Sequence, residues 1–229
     1  MNSSIRKYLA ELIGTFTLVF VGTSVAVLQG LLDYGDAGAL MISLAFGGTL
    51  TVLVLVIGPV SGCHVNPAVT VPMALSGRMP WADVPGYLIG QFIGAVAASA
   101  VLLALMSGFE GYSVTEAGLG ANGNPKNIHI ASLFGWELVM TALFLLVIFS
   151  ATRSGAPSIA APLAIGGFLF VAHLVGAPIG DASLNPARSF GPAVLESAAS
   201  LELLWLFIVA PLIGGVIGWL GYLLLYSEG

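Results

Sequence analysis

The 229-residue chain is 58% apolar and only 7% charged, with a net charge of −5 and a mean hydropathy of +1.02. Soluble domains carry roughly 45–50% apolar and about 25% charged residues, so this composition excludes that class and marks an integral membrane protein. Its six basic residues (Arg6, Lys7, Arg78, Lys126, Arg153 and Arg188) form no patch for a nucleic-acid partner, and the lone Cys63 excludes an internal disulfide or a cysteine-built metal centre.

The basic start at Arg6 and Lys7 leads into an apolar run ending near Gln29, with no small-residue cleavage site, which predicts a retained first helix rather than a signal peptide. At about 20 residues per crossing, six segments are long enough to span: 8–29, 38–58, 81–106, 130–151, 158–176 and 202–226. Two stretches, 59–80 and 177–201, are too polar and too broken to cross. The Gly- and Asn-rich segment 107–129 reads as an external linker joining two halves, 8–106 and 130–226, of one transmembrane domain. With both termini cytoplasmic, Arg6, Lys7, Arg78 and Arg153 fall inside and only Lys126 outside, in keeping with the positive-inside rule.

The halves repeat each other. ELIGT at 11–15 recurs as ELVMT at 137–141, SLAFGGTL at 43–50 as PLAIGGFL at 162–169, NPAVT at 66–70 as NPARS at 185–189, and QFIGAV at 91–96 as PLIGGV at 211–216. Three spans per repeat is an odd number, so the second half must lie upside down relative to the first. Inverted repeats of this kind belong to channels and transporters.

Both broken stretches share one design: GPVSGCHV or GAPIGDASL, then Asn-Pro-Ala (Asn66, Pro67, Ala68 and Asn185, Pro186, Ala187), then about ten helix-compatible residues. Asn is a good N-cap, and Pro suits the first helical position because its missing N–H has no partner there anyway. Ten residues rise about 15 Å, half of a roughly 30 Å hydrocarbon core. Two half-helices entering from opposite faces would therefore meet at the midplane and complete a seventh span. Non-helical backbone at that depth must be buried or line a water-filled cavity, so the stretches before each motif are expected to line a pore.

Paired NPA motifs after broken stretches, with Arg188 following the second and Glu11 and Glu137 in the first and fourth spans, resemble the aquaporin family, close to its bacterial water channels. The resemblance covers essentially the whole chain. It implies an all-α membrane fold of six transmembrane helices and two re-entrant half-helices, passive water conduction, no cofactor, a cell (inner) membrane location and a homotetramer. It also implies that the Asn66 and Asn185 amides donate to a passing water where two positive half-helix ends face each other, excluding protons and ions. Carbonyls of Gly62, Cys63, His64, Asp181, Ala182 and Ser183 would form an acceptor ladder, with Val65 and Leu184 as apolar wall. The implied constriction consists of Phe46, His173, Ala182 and Arg188.

Arg188 is a charge inside the bilayer, too deep for easy snorkelling, and its repeat counterpart is the apolar Val69, so the selective element is expected on one side of the pore only. Glu11 and Glu137 occupy equivalent repeat positions, which favours a scaffold role, accepting hydrogen bonds from the re-entrant loops, over chemistry. Ser189, Ala193 and His173 stand where the family's glycerol facilitators tend to carry Asp, Lys and Gly, which favours water. Against strictness, Ala182 is small and Ile208 replaces a common Trp, so glycerol, ammonia or hydrogen peroxide are alternative permeants. A proton-coupled transporter using Glu11 or Glu137 is the remoter alternative. An enzyme is not expected: His64, His129 and His173 sit in separate segments without metal-ligand spacing, and Ser61 lacks a nucleophile motif.

Overall fold

The computed structural model describes residues 3–124, 126–180 and 182–226, and these are helical throughout apart from turns and loops. In chain order the helices are α1 (Ser3–Leu32), α2 (Ala37–Ser61), α3 (Pro67–Leu75), a 3₁₀ turn (Trp81–Asp83) leading into α4 (Val84–Met106), α5 (Val114–Ala117), α6 (Ile130–Ala151), α7 (Ala160–Gly180), α8 (Pro186–Glu196) and α9 (Ala198–Tyr226). Five long elements, α1, α2, the 3₁₀ turn with α4, α6 and α9, are long and apolar enough to cross a membrane; in α7 the stretch Ala160–Gly176 is apolar but shorter.

The packing obeys the internal repeat. α1 lies against α4 as α6 lies against α9, α1 touches α2 as α6 touches α7, and α3 packs on α9 as α8 packs on α4, while α2 meets α7 and α3 meets α8 across the axis of symmetry. Between helices that are equally apolar, lipid gives no hydrophobic preference, and close approach of small residues takes over. A Cβ on Gly94 would stand 2.3 Å from the Leu12 carbonyl oxygen, and one on Gly214 would stand 2.3 Å from the Leu138 oxygen, the same contact in each half. α2 and α7 touch backbone to backbone as well: a Cβ on Gly166 would be 2.6 Å from the Gly47 oxygen. Gly94→Ala and Gly214→Ala are each expected to force these helix pairs apart at about 1–3 kcal/mol, read as a lower melting temperature in detergent. Unchanged melting of both would contradict this account of the packing.

Several helices run past their expected limits. α2 continues through Pro59 to Ser61, although 59–80 reads as broken from its first residue. A proline in the last turn removes a single bond and already holds helical φ, the Tyr87 hydroxyl donates to the Ser61 carbonyl at 2.6 Å, and the helix stops only where Gly62 turns left-handed (φ 87°). α7 likewise reaches Gly180 instead of ending at 176, and α9 starts at Ala198 instead of 202. The linker 107–129 carries α5, and its Leu119 and Asn122 are buried.

α3 and α8 start in the middle of the molecule and point away from each other. Arg78, just beyond α3, bonds to Phe149 O (3.3 Å) and Thr152 Oγ1 (3.0 Å) at one end, where Lys7 also pairs with Asp83 at 3.1 Å. The last residue of α8, Glu196, meets the linker at the other end. At 1.5 Å rise, their nine and eleven residues make up about 30 Å together, one hydrocarbon thickness.

Candidate functional site: a cavity between two half-helices

Each half-helix begins with the same local chemistry. Asn66 has extended backbone and its Oδ1 accepts from Ala68 N at 2.8 Å; Asn185 Oδ1 accepts from Ala187 N (3.1 Å) and Arg188 N (3.2 Å). Pro67 and Pro186 follow at the first helical position. With its oxygen turned to its own helix, each amide has its nitrogen facing across the midplane. Asn66 Nδ2 donates to Leu184 O and Asn185 Nδ2 to Val65 O, both at 2.8 Å. An amide carries two N–H bonds, so one remains on each side for a guest. Ala68 and Ala187 are fully buried, and the Ala68 oxygen lies 2.4 Å from where a Cβ on Gly215 would be.

The loops before the motifs are strained. Cys63 (φ 53°), Val65 (φ 47°) and Leu184 (φ 56°) are left-handed without being glycine, and for a β-branched valine this is a rare state costing on the order of 1–3 kcal/mol. Buried carboxylates hold Val65 and Leu184 there, while Cys63 N donates to the Ser61 hydroxyl at 3.1 Å. Glu11 Oε1 accepts from the Ser61 hydroxyl (2.7 Å) and His64 N (2.9 Å), and Oε2 from Val65 N (2.6 Å) and Gln91 Nε2 (2.7 Å). Glu137 accepts from Ser183 N (2.7 Å) and Leu184 N (2.9 Å). Each left-handed residue at the midplane is thus pinned by a carboxylate at its N–H and by the opposite asparagine at its carbonyl. Side chains brace the loops further: His64 Nδ1 lies 3.2 Å from Thr70 Oγ1, and Ser183 and Ser189 hydroxyls form the corresponding contact in the second half.

A cavity runs from Arg188 and His173 past both asparagines to Thr152. One wall is apolar, built from Leu18, Leu50, Val69, Met73, Phe144, Ile148, Ile165 and Leu169. The other is a polar strip formed by Gly62, Cys63, His64, Asn66, Ser183 and Asn185, with Val65 beside it. Among the described residues, no donor bonds to the carbonyl oxygens of Gly62, Cys63, His64 or Ser183. Asp181 lies outside the described residues. Leu184 and Ala182 are buried, and Ala182 packs against Gly176. Glu11 and Glu137 are fully buried and stand outside the wall. The Cys63 thiol is free and nine-tenths buried beside the strip. A mercurial is expected to block flux through the native chain and to leave a Cys63→Ser variant uninhibited; equal inhibition of both would refute this.

At the end away from Arg78, three side chains converge. Phe46 and His173 stack with ring centroids 4.4 Å apart, and the Arg188 guanidinium carbon lies 4.8 Å over the Phe46 ring. His173 Nδ1 is 3.0 Å from the Leu169 carbonyl, a contact that requires a proton on Nδ1 and leaves Nε2 buried without a partner among the described residues. Arg188 is 3% exposed, and its guanidinium donates to Gly120 O (2.9 Å) and Asn122 Oδ1 (2.6 Å), both in the linker. Sequence reading singled out Arg188 but not these partners. The one clue is demand: a buried guanidinium needs acceptors, and the linker segment GANG offers an amide. Gln91 and Ser61 were missed for the same reason, since nothing local marks them as partners of Glu11.

The chain matches the family described as Major intrinsic protein over residues 1–222. It is a member of that family. Within it, the chain is 43% identical to aquaporin Z of Rhodopseudomonas palustris, covering 100% of this chain and 95% of the relative. It is also 43% identical to aquaporin Z of Bradyrhizobium diazoefficiens (97% and 94%) and 41% identical to that of Photorhabdus laumondii (98% and 99%). The X-ray structure of the aquaglyceroporin from Plasmodium falciparum superposes with a TM-score of 0.83 over 96% of this chain and 95% of that one, at 22% identity, which shows a shared fold. This major intrinsic protein is a multi-pass membrane channel, not an enzyme.

Proposed function

We propose that the cavity is a passive water path, selective through its two asparagines and the Phe46, His173 and Arg188 constriction. The observation that carries this reading is the pairing of Asn66 and Asn185: each spends one N–H on the opposite loop and keeps one at the midplane, where two helix N-termini face each other. Each end carries roughly half a positive charge, which opposes a cation or hydronium and not a neutral solute. Water arriving there accepts from both amides and cannot also accept from the next water. The wire of hydrogen bonds is broken while the file of molecules continues. Free carbonyls on one wall and hydrocarbon on the other hold such a file loosely enough to move.

The names of the aquaporin Z relatives support the same assignment. A proton-coupled transporter is disfavoured because both oxygens of Glu11 and of Glu137 are engaged by loop donors and neither faces the cavity. We assign the whole chain to one channel domain of two inverted repeats, in the cell (inner) membrane with both termini cytoplasmic, so that Lys7, Arg78 and Arg153 face inward; the working form is a homotetramer. Stopped-flow shrinkage of proteoliposomes tests the function. Fast water efflux with a low activation energy, slow glycerol entry and no added proton leak are expected, and efflux no faster than through bare lipid would end the proposal.

A further inference from the structure

We infer that Glu196, which does not line the cavity, is the positioning residue that fixes where the Arg188 guanidinium stands and so how narrow the constriction is; this rests on reading the cavity as a selective water path. Glu196 is the last residue of α8, where the helix dipole presents its negative end and disfavours a carboxylate. It is held instead by other groups. Its Oε2 accepts from Leu119 N at 2.5 Å and Ala121 N at 3.0 Å, and its Oε1 from the Ser200 hydroxyl at 3.0 Å.

Two N–H groups that flank a residue can converge on one oxygen only if the chain curls between them. Gly120 supplies that curl, left-handed at φ 75° and pressed so close to Thr23 that a Cβ would lie 3.0 Å from its Cβ. With the flanking N–H groups drawn to Glu196, the Gly120 carbonyl is the group that reaches Arg188, at 2.9 Å. The next side chain but one, Asn122, places its oxygen 2.6 Å from the same guanidinium nitrogen and also accepts from Ser189 Oγ at 2.9 Å. Tyr112 steadies the approach by donating to Gly118 O at 2.9 Å, and Leu119 is fully buried.

The linker is therefore a strap laid along α8, fastened at the helix's far end by Glu196 and offering two acceptors to Arg188 in its first turn. Those acceptors hold the guanidinium over Phe46. Without the fastening, the Gly120 carbonyl loses its fixed place, and the guanidinium follows it away from the ring.

The test measures water permeability and the glycerol-to-water permeability ratio by stopped-flow in proteoliposomes, for E196A and E196Q, each alone and in an R188A background. With Arg188 present, E196A is expected to raise the ratio by about fivefold or more, and E196Q, which keeps one acceptor oxygen, by less; with Arg188 absent neither adds anything further. Water permeability itself is expected to change by less than about twofold, since the midplane is untouched. An unchanged ratio in E196A, or the same rise with and without Arg188, overturns the inference and makes Glu196 only a brace between α8 and α9. Should E196A fail to fold, E196L, which keeps the bulk and has no acceptor, decides by the same criterion. A native chain that conducts no faster than lipid overturns the channel reading, and the inference with it, and is recognised from the native trace alone.

Discussion

Glu11→Ala is expected to remove the folded channel, or to lower its melting temperature in detergent by ten degrees or so, because four donors lose their acceptor at once. Ser61 Oγ, His64 N, Val65 N and Gln91 Nε2 all point at this carboxylate. A buried donor left unpaired costs about 1–3 kcal/mol, so even the low end sums to about 4 kcal/mol, and for a chain of this size each kcal/mol moves the midpoint by roughly 2–4 °C. Val65 also loses the contact that holds its strained backbone. Glu137→Ala strips two donors and is expected to cost about half as much. Glu11→Gln separates hydrogen bonding from packing: the volume is kept, but an NH₂ replaces one oxygen and faces N–H groups. A Glu11→Gln variant as stable as the native chain would remove the scaffold role from Glu11.

The second large effect concerns Asn185→Asp. Aspartate caps a helix as well as asparagine does, so α8 keeps its start. What disappears is the donor: the bond from Nδ2 to Val65 O becomes an acceptor facing an acceptor, and the remaining N–H at the midplane goes with it. A carboxylate there also offsets the two positive helix ends that oppose cations. Water permeability is expected to fall about tenfold, equivalent to roughly 1.4 kcal/mol on the barrier, and proton leak to rise. Asn66→Asp is expected to do the same through Leu184 O. Native flux and native proton tightness in both variants would show that the amides only cap their helices.

Which parts of this architecture were legible in the sequence follows from the range of the chemistry involved. Asn66 with Pro67 and Asn185 with Pro186 announce a helix start within two residues, and their recurrence at matching places implies opposed half-helices before any contact is known. The six apolar segments are equally local. The gaps fall where a partner is distant. The stretch from Pro59 reads as broken, but α2 runs on to Ser61, whose carbonyl is met by the Tyr87 hydroxyl 26 residues on, before Gly62 turns the chain. Glu11 was legible as a scaffold only in outline, because Gln91 lies 80 residues away. The linker reads as turn-rich from its Gly and Asn, a pattern that does not show Asn122 buried against Arg188, 66 residues on. Ala182 belongs to the constriction by resemblance, and its packing against Gly176 is a contact that local pattern does not carry.

The crossed bonds at the midplane also make each half depend on the other. Val65 O is held by Asn185 Nδ2, and Asn66 Nδ2 by Leu184 O, across 120 and 118 residues of chain. While the first half is being threaded into the bilayer, its strained loop has Glu11 and Gln91 but lacks the amide that completes it. The first three spans alone therefore lack two of the bonds that fix the midplane, and the two half-helices complete each other's loops only when both are in place.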